Sequence, residues 1–229
     1  MAFAAVTPGM TLDERGLPRR SLVGDATFYG GKLADGACSF TNYSLPSGLF
    51  GTALSDNNWE SAGNCGGCIS VQYGNKCITA MIVDECAGCG ENHLDLFQNA
   101  FAELADISKG TIKTEWEYVQ CPGVTGPLRI HTKTGVSKDW FSAQVVNANR
   151  RTAKMEVSTD GGSTWMDTTR RDYNFFEIPA GTKCDSAWIR VTSPMGDVVT
   201  VKDVPMLPDF WVEADCNYHE SCAPQMYTA

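Results

Sequence analysis

Two aspartates stand where they could do acid–base chemistry. Asp84 closes the apolar run ITAMIVD, and Asp95 follows eleven residues later within His-Leu-Asp-Leu. An apolar setting disfavours the charged form of a carboxyl group, so Asp95 is suited to hold a proton and donate it to a glycosidic oxygen. A plainer reading makes Asp95 the N-terminal flank of a helix and Asp84 the closure of a turn. The spacing Cys65-x-x-Cys68 and Cys86-x-x-Cys89 fits a ribbon-type zinc site. Such a site would leave Cys38, Cys77 and Cys121 unexplained, and thiols oxidise in the compartment that the composition implies, so no metal and no cofactor is expected. The third constellation is aromatic. Trp140-Phe141 falls in pattern with Tyr173, Phe175 and Phe176, and a flat row of exposed rings can stack on the C–H faces of an extended glucan. The polar neighbours of Trp140 and Tyr173 favour exposure, whereas apolar alternation assigns Trp165 and Trp188 to the core.

The elements that must position these residues are mostly strands. Breakers cluster at Cys121-Pro122-Gly123-Val124-Thr125-Gly126-Pro127 and mark a boundary. Ahead of it, ATFYG, CISVQYG, CITAMIVDE and TIKTEWEYVQC alternate with Gly-rich turns, which predicts a small closed β-barrel with a hairpin at Gly74-Asn75. LDLFQNAFAELAD, residues 94–106, repeats apolar residues at helical spacing and predicts one helix against the barrel. Behind the boundary, LRIHTK, FSAQVVNA, AKMEVSTDGGSTWMDT, FFEIPAG and AWIRVTSPMGDVVTVKD predict a β-sandwich, with turns at Asp160-Gly161-Gly162 and Met195-Gly196-Asp197. The expected units are a barrel over 24–121, a sandwich over 128–212 and a tail over 213–229 that a disulfide tethers.

Charge narrows the partners. Residues 25–121 hold 4 Lys/Arg against 12 Asp/Glu, and residues 128–212 hold 11 against 10. The acidic first half repels phosphate and uronate polymers, which disfavours nucleic acid, anionic membrane and charged pectin but accepts a neutral polysaccharide. No stretch reaches the ~20 apolar residues of a membrane span, so the chain reads as a soluble monomer. The N-terminal MAFAAVTPGM is too short and Pro-interrupted for a full signal peptide and reads as an added start or a signal remnant. Ten cysteines favour a secreted protein, and the exposed-loop sequon at Asn42 fits one. Seven precede the boundary and three follow it; full oxidation would then require a bridge between the groups, with Cys216 or Cys222 as the expected partner.

GDATFYGG (24–31), GACSF, NCGGC, VDECAGCGENHLDLFQNAF (83–101), QVVN, KMEVSTDGGSTW and RRDYNFF appear in that order, and together they resemble the expansin family in its microbial expansin-like branch. The resemblance implies an all-β protein: a six-stranded double-psi β-barrel with a short helix, followed by an immunoglobulin-like β-sandwich resembling carbohydrate-binding module family 63. It matches Thr27, Asp84 and Asp95 to the polar groove, with Tyr29 in the first strand's aromatic segment. Lys133, Trp140 and Tyr173 match the binding face, with Phe141 as a candidate replacement for a missing neighbouring tryptophan. Cys86 stands where bacterial members carry a groove tyrosine. The implied partners are cellulose, xyloglucan or a related β-glucan.

The barrel is also similar to that of glycoside hydrolase family 45, whose general-acid segment HLDL resembles. Inversion requires a second carboxylate about 6.5–9.5 Å from the first to activate water. Gly30 stands near the place where those hydrolases carry an aspartate, so proton donation has no matched base. The expected function is non-hydrolytic disruption of glucan contacts; the alternatives are a weak endo-β-1,4-glucanase or single-acid lytic enzyme, and a carbohydrate-binding module or antigen without loosening activity.

Overall fold

The computed structural model describes residues 20–219, and the N-terminal MAFAAVTPGM lies outside them. Six strands close into a barrel in the order β1-β5-β2-β4-β3-β6: β1 (Leu22–Tyr29), β2 (Phe50–Ser55), β3 (Cys68–Tyr73), β4 (Lys76–Cys86), β5 (Leu94–Phe97) and β6 (Ile112–Val119). Alternation explains β6, in which Ile112, Thr114, Trp116 and Tyr118 are buried between more exposed neighbours. The β3–β4 hairpin turns at Gly74-Asn75, with Gly74 at φ 60°.

The predicted helix is shorter than its apolar pattern. Leu94–Phe97 form β5, and helix α1 spans only Gln98–Leu104, burying Ala100, Phe101 and Leu104. Leu94 and Leu96 fit a strand's two-residue period, whereas Leu96 and Phe97 also continue the helical spacing of Ala100, Phe101 and Leu104; pairing with β1 and β2 selects the strand. Phe97, not Asp95, occupies the helix N-cap, and Asp84 lies within β4. Asp95 therefore flanks the helix without capping it, and Asp84 closes no turn.

The second half stacks two antiparallel sheets around Leu128, Ile130, Phe141, Met155, Val157 and Ile189. One has the order β10-β9-β13-β14, from β9 (Lys154–Ser158), β10 (Met166–Asp167), β13 (Ser186–Thr192) and β14 (Val198–Pro205). The other has the order β11-β12-β8-β7-β15, from β7 (Arg129–Thr132), β8 (Phe141–Val146), β11 (Thr169–Arg170), β12 (Phe176–Ile178) and β15 (Trp211–Glu213). The chain beyond β15 is more than a tethered tail. Tyr218 is fully buried in the sandwich core, and its hydroxyl meets Thr152 Oγ1 at 2.8 Å.

Disulfides use up the zinc-spaced cysteines and correct one expectation. Cys38–Cys65, Cys68–Cys121 and Cys86–Cys89 are bridged. The four cysteines of the zinc spacing are thus divided among three bridges, and none keeps a thiolate for metal. Cys77 and Cys184 are free, the other six cysteines of the first group pair among themselves so that no bridge joins it to the second, and Cys222 lies outside the described residues. Barrel and sandwich meet instead through hydrogen bonds: Gln144 Nε2 and Asn174 Nδ2 both reach Cys38 O at 3.2 Å, and Arg151 Nη1 reaches Gly63 O at 2.8 Å.

Candidate functional site

One row across four neighbouring barrel strands carries the polar groove. Thr27 of β1 pairs with Asp95 of β5, Asp95 with Ala53 of β2, and Ala53 with Asp84 of β4. Side chains at matched positions share a face, so the predicted trio stands in line. Thr27 Oγ1–H donates to Asp95 Oδ1 at 2.6 Å, and His93 Nε2 lies 2.9 Å from the same hydroxyl oxygen. Since the only hydroxyl proton of Thr27 goes to Asp95, the His93 contact requires Nε2–H as donor. That leaves a relay His93→Thr27→Asp95. His93 sits inside the HLDL motif, yet its role was not read from the sequence.

Asp84 is differently engaged. Its Oδ1 accepts from the Ala37 N–H at 2.7 Å and from the Glu85 N–H at 2.9 Å, while Oδ2 accepts from the Tyr29 hydroxyl at 3.0 Å. Gly36 permits the first of these contacts: a Cβ there would stand 2.5 Å from Val83 O, so a larger residue would push the Ala37 amide away. Burial, then the negative charge of Asp84 and its hydrogen bond, raise the Tyr29 hydroxyl well above the usual phenol range. The ring of Tyr29 meets Phe97 edge-on at 5.6 Å. Burial also raises the Glu85 carboxyl, with Asp56, Asp172 and Asp84 adding to the effect. Gly30 is exposed, and Cys86 presents a disulfide rather than a ring.

On the sandwich, the Lys133 ammonium lies 4.8 Å from the Tyr173 ring centroid and 5.3 Å from that of Phe175. Tyr173 is 39% exposed, and its hydroxyl donates to Glu177 Oε1 at 2.6 Å. The rings continue from Tyr173 to Phe175 (6.1 Å), His131 (6.1 Å) and Trp211, which stacks on His131 at 4.0 Å. His131 and Trp211 lie on adjacent strands β7 and β15. The sequence offered no signal for that pairing because β15 follows a loop outside the alternating runs. Trp140 is half-buried against the sandwich core.

Three aromatic assignments change. Phe141 is fully buried on β8, so its ring faces the inter-sheet core and is closed to sugar. Neighbouring strand residues point to opposite faces, and only one of Trp140 and Phe141 can look outward. Phe141→Ala should therefore cost about 3–5 kcal/mol of stability by opening a core cavity; chemical denaturation reads this, and a change below ~1 kcal/mol would contradict it. Trp165 and Trp188 are only half-buried and leave the core to Ala187, Ile189 and Val191. Arg190 covers Trp165 at 4.1 Å, and Lys202 covers Trp188 at 4.9 Å.

Expansin-YoaJ of Bacillus subtilis is 31% identical over 191 residues, which cover 81% of this chain and 79% of that protein. The chain belongs to the expansin family. Expansin-like protein 5 of Dictyostelium discoideum is 26% identical over 86% of the chain and 85% of its own length. The crystal structure of apo expansin from Clavibacter michiganensis superposes with a TM-score of 0.77 at 28% identity, covering 88% of this chain and 99% of that one. A mutant of that expansin in complex with cellohexaose superposes with a TM-score of 0.78 at 27% identity. No family model matches the chain.

Proposed function

We propose that this expansin is a secreted, monomeric protein that binds cellulose or a related β-glucan, xyloglucan included, and loosens contacts between polysaccharide chains without cutting them. Barrel residues 24–121 and sandwich residues 128–212 would lie along one glucan chain. Thr27, Asp84, Asp95 and Tyr29 would contact it in the groove; Lys133, Tyr173 and Trp140 would hold it on the sandwich face. The cellohexaose complex of the Clavibacter relative supports a β-1,4-linked ligand.

The observation that carries the non-hydrolytic reading is the state of Asp84. Both of its oxygens already accept protein donors, three in all. A general base must instead accept a proton from an attacking water. Asp95 retains a relay through Thr27 and can exchange hydrogen bonds with glucan hydroxyls. Asp95 would therefore compete for hydrogen bonds that hold neighbouring glucan chains together, while stacking on the sandwich keeps one chain engaged.

One observation favours weak glucanase activity as a second reading. Asp84 and Asp95 flank Ala53 on the strands either side of β2, which sets their Cα atoms about 10 Å apart at two strand spacings. That approaches the carboxylate separation of inverting glycosidases. Release of Asp84 from its donors would be required before it could serve water.

Constant-load extension of cellulose sheets tests the loosening function. The protein should increase extension over a heat-denatured control while a parallel pull-down shows it bound. Binding without added extension would reduce the protein to a carbohydrate-binding module.

A further inference from the structure

We propose that the seam between barrel and sandwich binds a small monatomic anion, a halide, between the side chains of Arg150 and Arg170. A cavity of about 10 Å³ lies there, walled by Phe40, Tyr43 and Gly66 of the barrel and by Asn147, Arg150 and Arg170 of the sandwich, among others. That is the room of a single water-sized particle, and it is too small for sulfate or a sugar carboxylate.

Arg170 supplies the main argument. Its Nη1 donates to Thr152 O at 2.7 Å and to Gly63 O at 3.5 Å, and Nη2 donates to Asn174 Oδ1 at 2.8 Å. All three acceptors are neutral, and among the described residues no carboxylate pairs with this guanidinium. Its Nε–H is buried with no acceptor among the described residues. Arg150 differs in having a carboxylate partner, Asp197 at 3.4 Å from Nη1, but its Nε is likewise buried without an acceptor among the described residues. These two donors and the unpartnered Tyr43 hydroxyl, all on side chains lining one cavity, call for an acceptor inside it. Burial, and then the nearby charge of Arg151, push the Arg170 guanidinium down to about 9.

Water would satisfy a donor but leave that charge standing. A halide would satisfy both donors and neutralise one charge, in a site where low polarity strengthens the attraction. Arg170 also contacts Gly63 of the barrel. The anion would thus tighten the junction that aligns the barrel groove with the sandwich face. This site is independent of what the groove does to glucan.

Thermal unfolding of the full chain, with chloride or bromide replacing gluconate at fixed ionic strength, is the test. A saturable Tm rise of roughly 4 °C is expected at about tenfold over the dissociation constant. Arg170→Gln should abolish that rise. Crystals grown in bromide, which need no variant, should show one anomalous peak between Arg150 and Arg170. A halide-independent Tm in the parent protein would overturn the proposal. So would a seam occupied by water or by a carboxylate of the chain itself.

Discussion

Asp95→Asn should abolish the extension of loaded cellulose sheets by at least about tenfold while leaving the bound fraction and the fold nearly unchanged. The substitution keeps the shape and an acceptor oxygen for Thr27 Oγ1–H, now 2.6 Å from Asp95. It removes the ionisable group, and with it a charge-assisted hydrogen bond to glucan hydroxyls. Such bonds contribute about 1.5–3 kcal/mol, or roughly 10–100-fold in a rate that depends on them. Folding should tolerate the change because Asp95 is only half-buried and makes no ion pair among the described residues. Undiminished extension by a folded Asp95→Asn protein would remove Asp95 from the mechanism. Lost binding would instead make it an anchoring residue.

Tyr173→Ala should weaken cellulose binding by about tenfold. Ring stacking contributes about 0.5–1.5 kcal/mol beyond the area it covers, and 1.4 kcal/mol corresponds to a factor of ten. Tyr173 is the ring of the row most open to ligand, and the cation of Lys133 over it should be lost from the face together with the ring. Tyr173→Phe separates the two parts of the side chain. It keeps the ring but drops the hydrogen bond to Glu177, and it should retain most of the affinity. Binding isotherms on cellulose measure both variants. Equal affinity in the parent and Tyr173→Ala proteins would disprove the binding-face assignment. Trp140→Ala is a less clean probe, because that ring also packs against the sandwich core.

How much of this could be read from residues alone varies with the physical signal. The strands β4 and β6 were legible because long alternating or apolar runs end in clear turns. Strand β2 was not: Gly51 to Ser55 are buried on both faces, so no alternation marks them. Strand β5 was hidden by its neighbour, since Leu94, Leu96 and Phe97 extend the helical pattern of Ala100 and Phe101. Among the site residues, HLDL drew attention to Asp95, but only the β1–β5 pairing brings His93 onto Thr27. Trp188 shows a different error. Apolar alternation in β13 belongs to Ala187, Ile189 and Val191, which point inward, so Trp188 shares the outward parity of Arg190 and the alternation does not carry it into the core. Cysteine pairing depended on which strands become neighbours, and assuming complete oxidation led away from the free Cys77 and Cys184.

The chain length of cellulose before and after it has been weakened by the protein tests the central claim most directly. Size-exclusion analysis of the dissolved polymer should give the same length distribution as the untreated sheet, even where extension has proceeded. A progressive fall in chain length that requires Asp84 as well as Asp95 would contradict the account and make the groove a hydrolytic site.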